Sequence, residues 1–161
     1  MIEVSKALTE EGLGKFFIDN VDETYISFGD IYSCGRATKD LKWVSNLEEV
    51  ISNEARDILS GKIPNKEVIV AHEDEVLVGF AIVALEAPSA VLEDLIVDRK
   101  IRGKGIGQRI YKAIEDSLRE RGIEYIQLES APQNIKAHEF FHNQGFINST
   151  VIMIKDITKE E

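Results

Sequence analysis

Hydrophobic and polar positions change their spacing several times along the chain, and each change marks an element. Residues 2–7 predict a strand, followed by a short helix capped by Thr9 with Leu13, Phe16 and Phe17 on one face. From Asp19 to Trp43 no period holds. Tyr25, Phe28, Tyr32 and Trp43 are scattered there among glycines and charges, in a substrate-facing loop or as core residues, with core the favoured reading. Ser45-Asn46-Leu47-Glu48 has the form of a capping box, and Leu47, Val50, Ile51, Ile58 and Leu59 follow at helical spacing until Gly61 and Pro64. Residues 68–71 and 76–85 are β-rich runs joined by the polar link His72-Glu73-Asp74-Glu75, a hairpin pattern.

A third strand, residues 91–97, follows Pro88 and runs into a glycine-rich turn. Ile106, Ile110, Ala113, Ile114 and Leu118 then recur every three or four residues opposite charges, which predicts an amphipathic helix ending at Gly122. Residues 125–128 read as a strand and 134–144 as a helix with Ala137, Phe140 and Phe141 inward and Gly145 at its end. Residues 151–154 read as a last strand. Hairpin strands followed by strand, helix, strand, helix, strand predict a three-layered α/β or α+β fold with a mixed sheet. At 161 residues the chain fits one domain, residues 1–161.

Composition narrows the class. The chain is 43% hydrophobic and 30% charged, as in a soluble globular protein. Its longest apolar run, residues 76–85, is shorter than the ~18 residues a membrane span requires. The acidic start MIEVSKALTEEG lacks the form of a secretory signal, and Cys34 has no second cysteine to pair with, so the expectation is a cytoplasmic protein. A net charge of −10 disfavours nucleic acid and anionic membranes and favours a cationic or amine-bearing partner, although the same surplus also serves solubility.

One stretch reverses that sign. Arg99, Lys100, Arg102, Lys104 and Arg109 fall within eleven positions that hold no acidic residue, around Arg102-Gly103-Lys104-Gly105-Ile106-Gly107 at the start of a helix. Helix N-termini leave N–H groups unpaired, and glycines let a phosphate approach the backbone, so this is a candidate pyrophosphate site. It is not a phosphate loop of the GxxxxGK[ST] type, because Lys104 is followed by Gly105. Nor does it fit GxGxxG, which needs glycine at Gln108.

These residues resemble the GNAT superfamily of N-acetyltransferases. The family's coenzyme A loop, [RQ]xxGx[GA], is met by Arg102, Gly105 and Gly107; the preceding LxV strand end by Leu95-Ile96-Val97; and the later NxxAxxF[YF]xxxGF by Asn134, Ala137, Phe140, Phe141, Gly145 and Phe146. The resemblance covers roughly residues 68–154. It implies a central, mostly antiparallel sheet splayed between the fourth and fifth strands, with helices on both faces and acetyl-coenzyme A in the split. It further implies that backbone groups of Leu95, Ile96 and Val97 pair with the pantetheine arm and that Arg102, Gly103, Lys104, Gly105, Ile106, Gly107 and Gln108 hold the pyrophosphate. Asn134, Ala137, Phe140 and Phe141 would line the arm further along. A homodimer is common in the family.

Acetyl transfer to an amine requires a base, an oxyanion stabiliser and a proton for the departing thiolate. Glu93 is the candidate base, and strict alternation places it on the face of Leu95 and Val97. Where the family commonly has tyrosine as acid, this chain has Phe141, which leaves Tyr111, His142, a water or unassisted departure. The loss also leaves open a catalytically weak acetyl-coenzyme A sensor of the same fold. Cys34 has no activating base nearby in sequence and reads as a structural thiol. His138-Glu139-Phe140-Phe141-His142 is a literal HExxH, but the third zinc ligand is missing, since its position holds Asn148. No metal is expected, and a zinc protease is a remote alternative.

Overall fold

The computed structural model describes residues 1–158; the last three residues of the expected domain lie outside the described residues. In order the elements are β1 (Ile2–Lys6), α1 (Leu13–Asn20), α2 (Phe28–Tyr32), α3 (Leu47–Leu59), β2 (Lys66–Glu73), β3 (Val76–Glu86), β4 (Ser89–Val97), α4 (Ile106–Glu120), β5 (Tyr125–Gln127) and α5 (Ile135–Asn143). Single 3-10 turns occupy Glu23–Tyr25 and Arg99–Ile101. The strands lie in sequence order in one sheet. β1 to β4 pair antiparallel, and β4 pairs parallel with β5.

The sheet is covered on both faces, so β3 is buried almost throughout and reads as a continuous apolar run. Val68, Val70, Phe80, Ile82 and Ile96 pack against Leu13, Phe17, Ile51 and Ala55 of α1 and α3. The alternate positions Ala71, Ala81, Val83, Ala90 and Leu92 pack against Ile110, Ile114 and Leu118 of α4. α4 lies so near β3 that a Cβ on Gly79 would stand 2.6 Å from Ile110 Cδ1 and 2.9 Å from the Ile96 carbonyl oxygen. The 72–75 link forms the expected hairpin, with Asp74 and Glu75 at positive φ as a tight two-residue turn needs. No helix among the described residues is long and apolar enough to cross a membrane.

Three local expectations are corrected. Thr9 does not cap α1; its Oγ1 accepts from Glu11 N in a turn, and α1 starts after Gly12. α3 starts from Asn46 without a side-chain cap, so Ser45 closes no capping box. Residues 151–154 form no strand: Val151, Ile152, Met153 and Ile154 are exposed and pair with no sheet edge. β-branched side chains favour a strand only where an edge accepts their backbone.

Candidate active site

β4 and β5 pair only from Ser89 with Tyr125 to Val91 with Gln127. β5 then ends, while β4 continues through residues 92–97 with that edge bare. This is the splay expected from the sequence, and it offers strand amides and carbonyls to an extended, peptide-like chain. Where β4 ends, Arg102 Nε donates to the Val97 carbonyl at 3.0 Å and its guanidinium donates to the Asn20 carbonyl. Arg102 therefore ties the glycine loop to β4 and to the end of α1.

Beyond that tie, Gly103 and Gly105 adopt φ of +82° and +79°, and a Cβ on either would meet nothing within 4 Å. Gly105 is the N-cap of α4 and brings no side chain to cap it, so the first-turn N–H groups of Ile106, Gly107 and Gln108 are left to an outside acceptor. Arg99, Lys100, Lys104 and Arg109 are exposed around this helix start. The cradle is open, amide-lined and positive, and the residues fit a pyrophosphate.

The far wall comes from α5. Phe140 would lie 3.4 Å from a Cβ on Gly107, beside Val97. From Phe140 an aromatic row runs through Phe141 and Phe146 to Tyr111, with ring centroids 5.0, 5.4 and 5.7 Å apart. Ala137 is half-buried in the same helix. Asn134 accepts from Ala137 N through its side chain at 3.3 Å, capping α5. Tyr111 is buried, and desolvation together with Glu115 holds its phenol far above the ordinary value.

Glu93 lies at an irregularity. Ile82 pairs with Asp94 and Val83 with Leu92, so Glu93 is the extra residue of a β-bulge. The bulge corrects the expected alternation. Leu95 and Val97 pack toward α4, whereas the Glu93 carboxylate turns to Lys66 Nζ at 2.9 Å, with Glu54 of α3 and Asp94 among its charged neighbours. Burial raises the Glu93 pKa, opposed by the Lys66 hydrogen bond.

Beside Glu93 is a cluster that the sequence did not reveal. Asp94 is 2% exposed and takes both prongs of the Arg36 guanidinium at 2.8 and 2.9 Å. The same guanidinium reaches Glu54 at 2.9 Å and Asp30 at 3.3 Å, and Tyr25 donates its hydroxyl to Asp94 at 2.8 Å. Its only sequence signal is the pair Glu93-Asp94 in an apolar strand, where one carboxylate must turn inward and needs a cation.

The aromatic residues of the 19–43 segment divide. Tyr25 and Trp43 pack edge-on against Phe17 in the core, while Phe28 and Tyr32 on α2 are 36% and 44% exposed with centroids 5.0 Å apart. α2 faces the loop after β5: Gln133 donates to the Ile26 carbonyl, and Glu129 Oε2 would lie 3.8 Å from a Cβ on Gly29. Cys34 is exposed overall, yet desolvation of its thiol pushes it up to about 11, so it is not a thiolate at neutral pH. His142 Nε2 lies 2.9 Å from Asn148 Oδ1, and among the described residues no three His, Cys, Asp or Glu side chains are grouped to hold a metal.

Comparison with known proteins adds to this geometry. Residues 30–146 match the acetyltransferase (GNAT) family. Streptothricin acetyltransferase of Streptomyces lavendulae is 30% identical over 140 residues, which span 84% of this chain and 74% of that protein. The PaiA N-acetyltransferase of Thermoplasma acidophilum in complex with coenzyme A has a TM-score of 0.69 at 22% identity, covering 94% of this chain and 93% of that one. An aminoglycoside N-acetyltransferase in complex with coenzyme A has a TM-score of 0.68 at 13% identity, covering 99% and 96%.

Proposed function

Because the chain belongs to the GNAT acetyltransferase family, we propose that it transfers an acetyl group from acetyl-coenzyme A to a primary amine of a small basic molecule, by direct attack in a ternary complex. The observation that carries this reading is the bare β4 edge, which joins the uncapped glycine start of α4 to the half-buried carboxylate of Glu93. Acetyl-coenzyme A supplies the activated thioester. Amides of Gly103 to Gln108 bind the pyrophosphate, residues 95–97 and Phe140 hold the pantetheine arm, and a β4 amide polarises the acetyl carbonyl.

Glu93 removes the proton that an ammonium acceptor must lose, directly or through one water. Its desolvation suits it to this role by raising its basicity. Phe141 has no proton to give, and Tyr111 is packed against Phe146. That leaves His142 or a water to protonate the leaving thiolate, and the parent thiol pKa of about 8.5 also allows unassisted departure. Cys34, held as a neutral thiol, takes no acyl group.

On the acceptor side, Glu93, Glu54 and Glu129 with the exposed Phe28–Tyr32 pair suit a cationic amine, which carboxylates attract and aromatic faces bind. The relative that acetylates streptothricin supports the same class. The test is thiol release by metal-free protein from acetyl-coenzyme A with streptothricin, aminoglycosides, polyamines and amino-terminal peptides. Turnover with a small polycation is expected. Tight cofactor binding without turnover on any amine would replace this reading with a sensor.

A further inference from the structure

Arg36 lies outside the motifs of the acetyl-donor side, yet carboxylates from three elements converge on its guanidinium. These are Asp94 of β4, Glu54 of α3 and Asp30, whose carboxylate also closes the capping box of α2 through Ser27. The side chain is 3% exposed and its guanidinium stands 5.2 Å from the centre of the Phe17 ring. Burying such an ion group contributes little stability compared with apolar filling of the same space, because each charge loses its water. What it does supply is direction, since a planar fork donates to two carboxylate oxygens in one orientation.

That direction bears on the reaction. Asp94 follows the bulge residue Glu93, so the Arg36–Asp94 fork fixes the strand at the point where the bulge turns the Glu93 carboxylate. Through Asp30 the same guanidinium fixes α2, which carries Phe28 and Tyr32. Resting on the reading of Glu93 as the base, we infer that Arg36 is a positioning residue, which locks the base and the amine-binding wall into one unit.

The charges facing Glu93 give this a distinctive readout. Lys66 approaches from β2, Asp94 from its own strand and Glu54 from α3, and Arg36 is the cation paired with the last two. Cys34, also near Lys66, stays neutral. Without Arg36, two carboxylates face Glu93 with Lys66 alone opposing them, and the proton on Glu93 is held more tightly. A merely structural residue would lower the folded fraction and leave this titration in place.

The experiment compares full-length wild type with Arg36→Met, Arg36→Lys and Arg36→Met/Asp94→Asn. It records kcat and KM for the best amine against pH, and acetyl-coenzyme A affinity by calorimetry. Arg36→Met should move the acidic limb of kcat/KM upward by about half a pH unit or more and raise the amine KM about tenfold, with cofactor affinity unchanged. In the double variant the limb should return toward wild type while KM stays high. Arg36→Lys keeps the charge without the fork and should raise KM without moving the limb, so it tests the clamp even where Arg36→Met fails to fold. A wild-type amine KM in Arg36→Lys, or an unmoved limb in folded Arg36→Met, overturns the inference. Absence of wild-type turnover, or a Glu93→Gln variant that keeps the limb, instead removes the reading on which it rests.

Discussion

At the scale of single residues, the proposed chemistry depends on how the fold treats Glu93. Burial favours its neutral form and the Lys66 ammonium favours its charged form, with burial the larger effect. As the proposed base, Glu93 acts only when ionised, so kcat/KM should fall as pH drops through a pKa above 4.5, the unperturbed value. Glu93→Gln should lower kcat by about 10²- to 10⁴-fold, the usual worth of a positioned base, and abolish that limb. Steady-state rates from pH 5 to 9, with calorimetric cofactor affinity as the control, decide it. As parts of the candidate site, Glu93, Gly105 and Phe140 could be proposed from the sequence because their signals are local: two adjacent carboxylates, a glycine pattern, a spaced helix face. Arg36 was not, since Glu54 and Asp94 lie 18 and 58 positions away from it and only the fold brings them together.

At the scale of elements, periodicity located the helices and strands because one face of each had to be buried, and α4 and β3 came through almost whole. Features that depend on a partner did not. The bulge at Glu93 exists only against β3, and it reverses the face deduced from alternation. Residues 151–154 have strand-forming side chains yet pair with no strand of the sheet. Gly79 shows the same dependence, since nothing in its neighbours along the chain reveals that Ile110 of α4 lies against it. Gly79→Ala should destabilise by about 1–3 kcal/mol through overpacking. With about 2–4 °C lost per kcal/mol for a chain of this size, calorimetry should find a melting temperature lower by several degrees. An unchanged melting temperature would mean that α4 shifts freely on the sheet.

At the scale of the whole molecule, charge is divided by task. The net charge is −10, four carboxylates (Asp30, Glu54, Glu93 and Asp94) gather around Arg36 and Lys66, and the basic exception rings the start of α4. Such a division suits the proposed pair of substrates, a polyanionic donor and a cationic acceptor at opposite ends of one bare strand edge. A ligand that binds only the folded state at one hundred times its Kd stabilises by about 2.7 kcal/mol. Acetyl-coenzyme A should therefore raise the melting temperature by about 5–10 °C, less at high salt because the phosphate contacts are screened. Zinc should raise it by nothing; a zinc-induced rise without one from the cofactor would revive the HExxH helix as a metal site. Gly105→Val should remove the cofactor shift, since it places a β-branched side chain at φ +79° and into the open cradle. Gly122→Val is the matched control: it bears the same strain at φ +80°, also in open space, at the other end of α4. Both variants should melt lower than wild type, but only Gly122→Val should regain its loss on adding acetyl-coenzyme A. Equal recovery in the two would place the pyrophosphate elsewhere, because backbone strain is common to both and only the cradle distinguishes them.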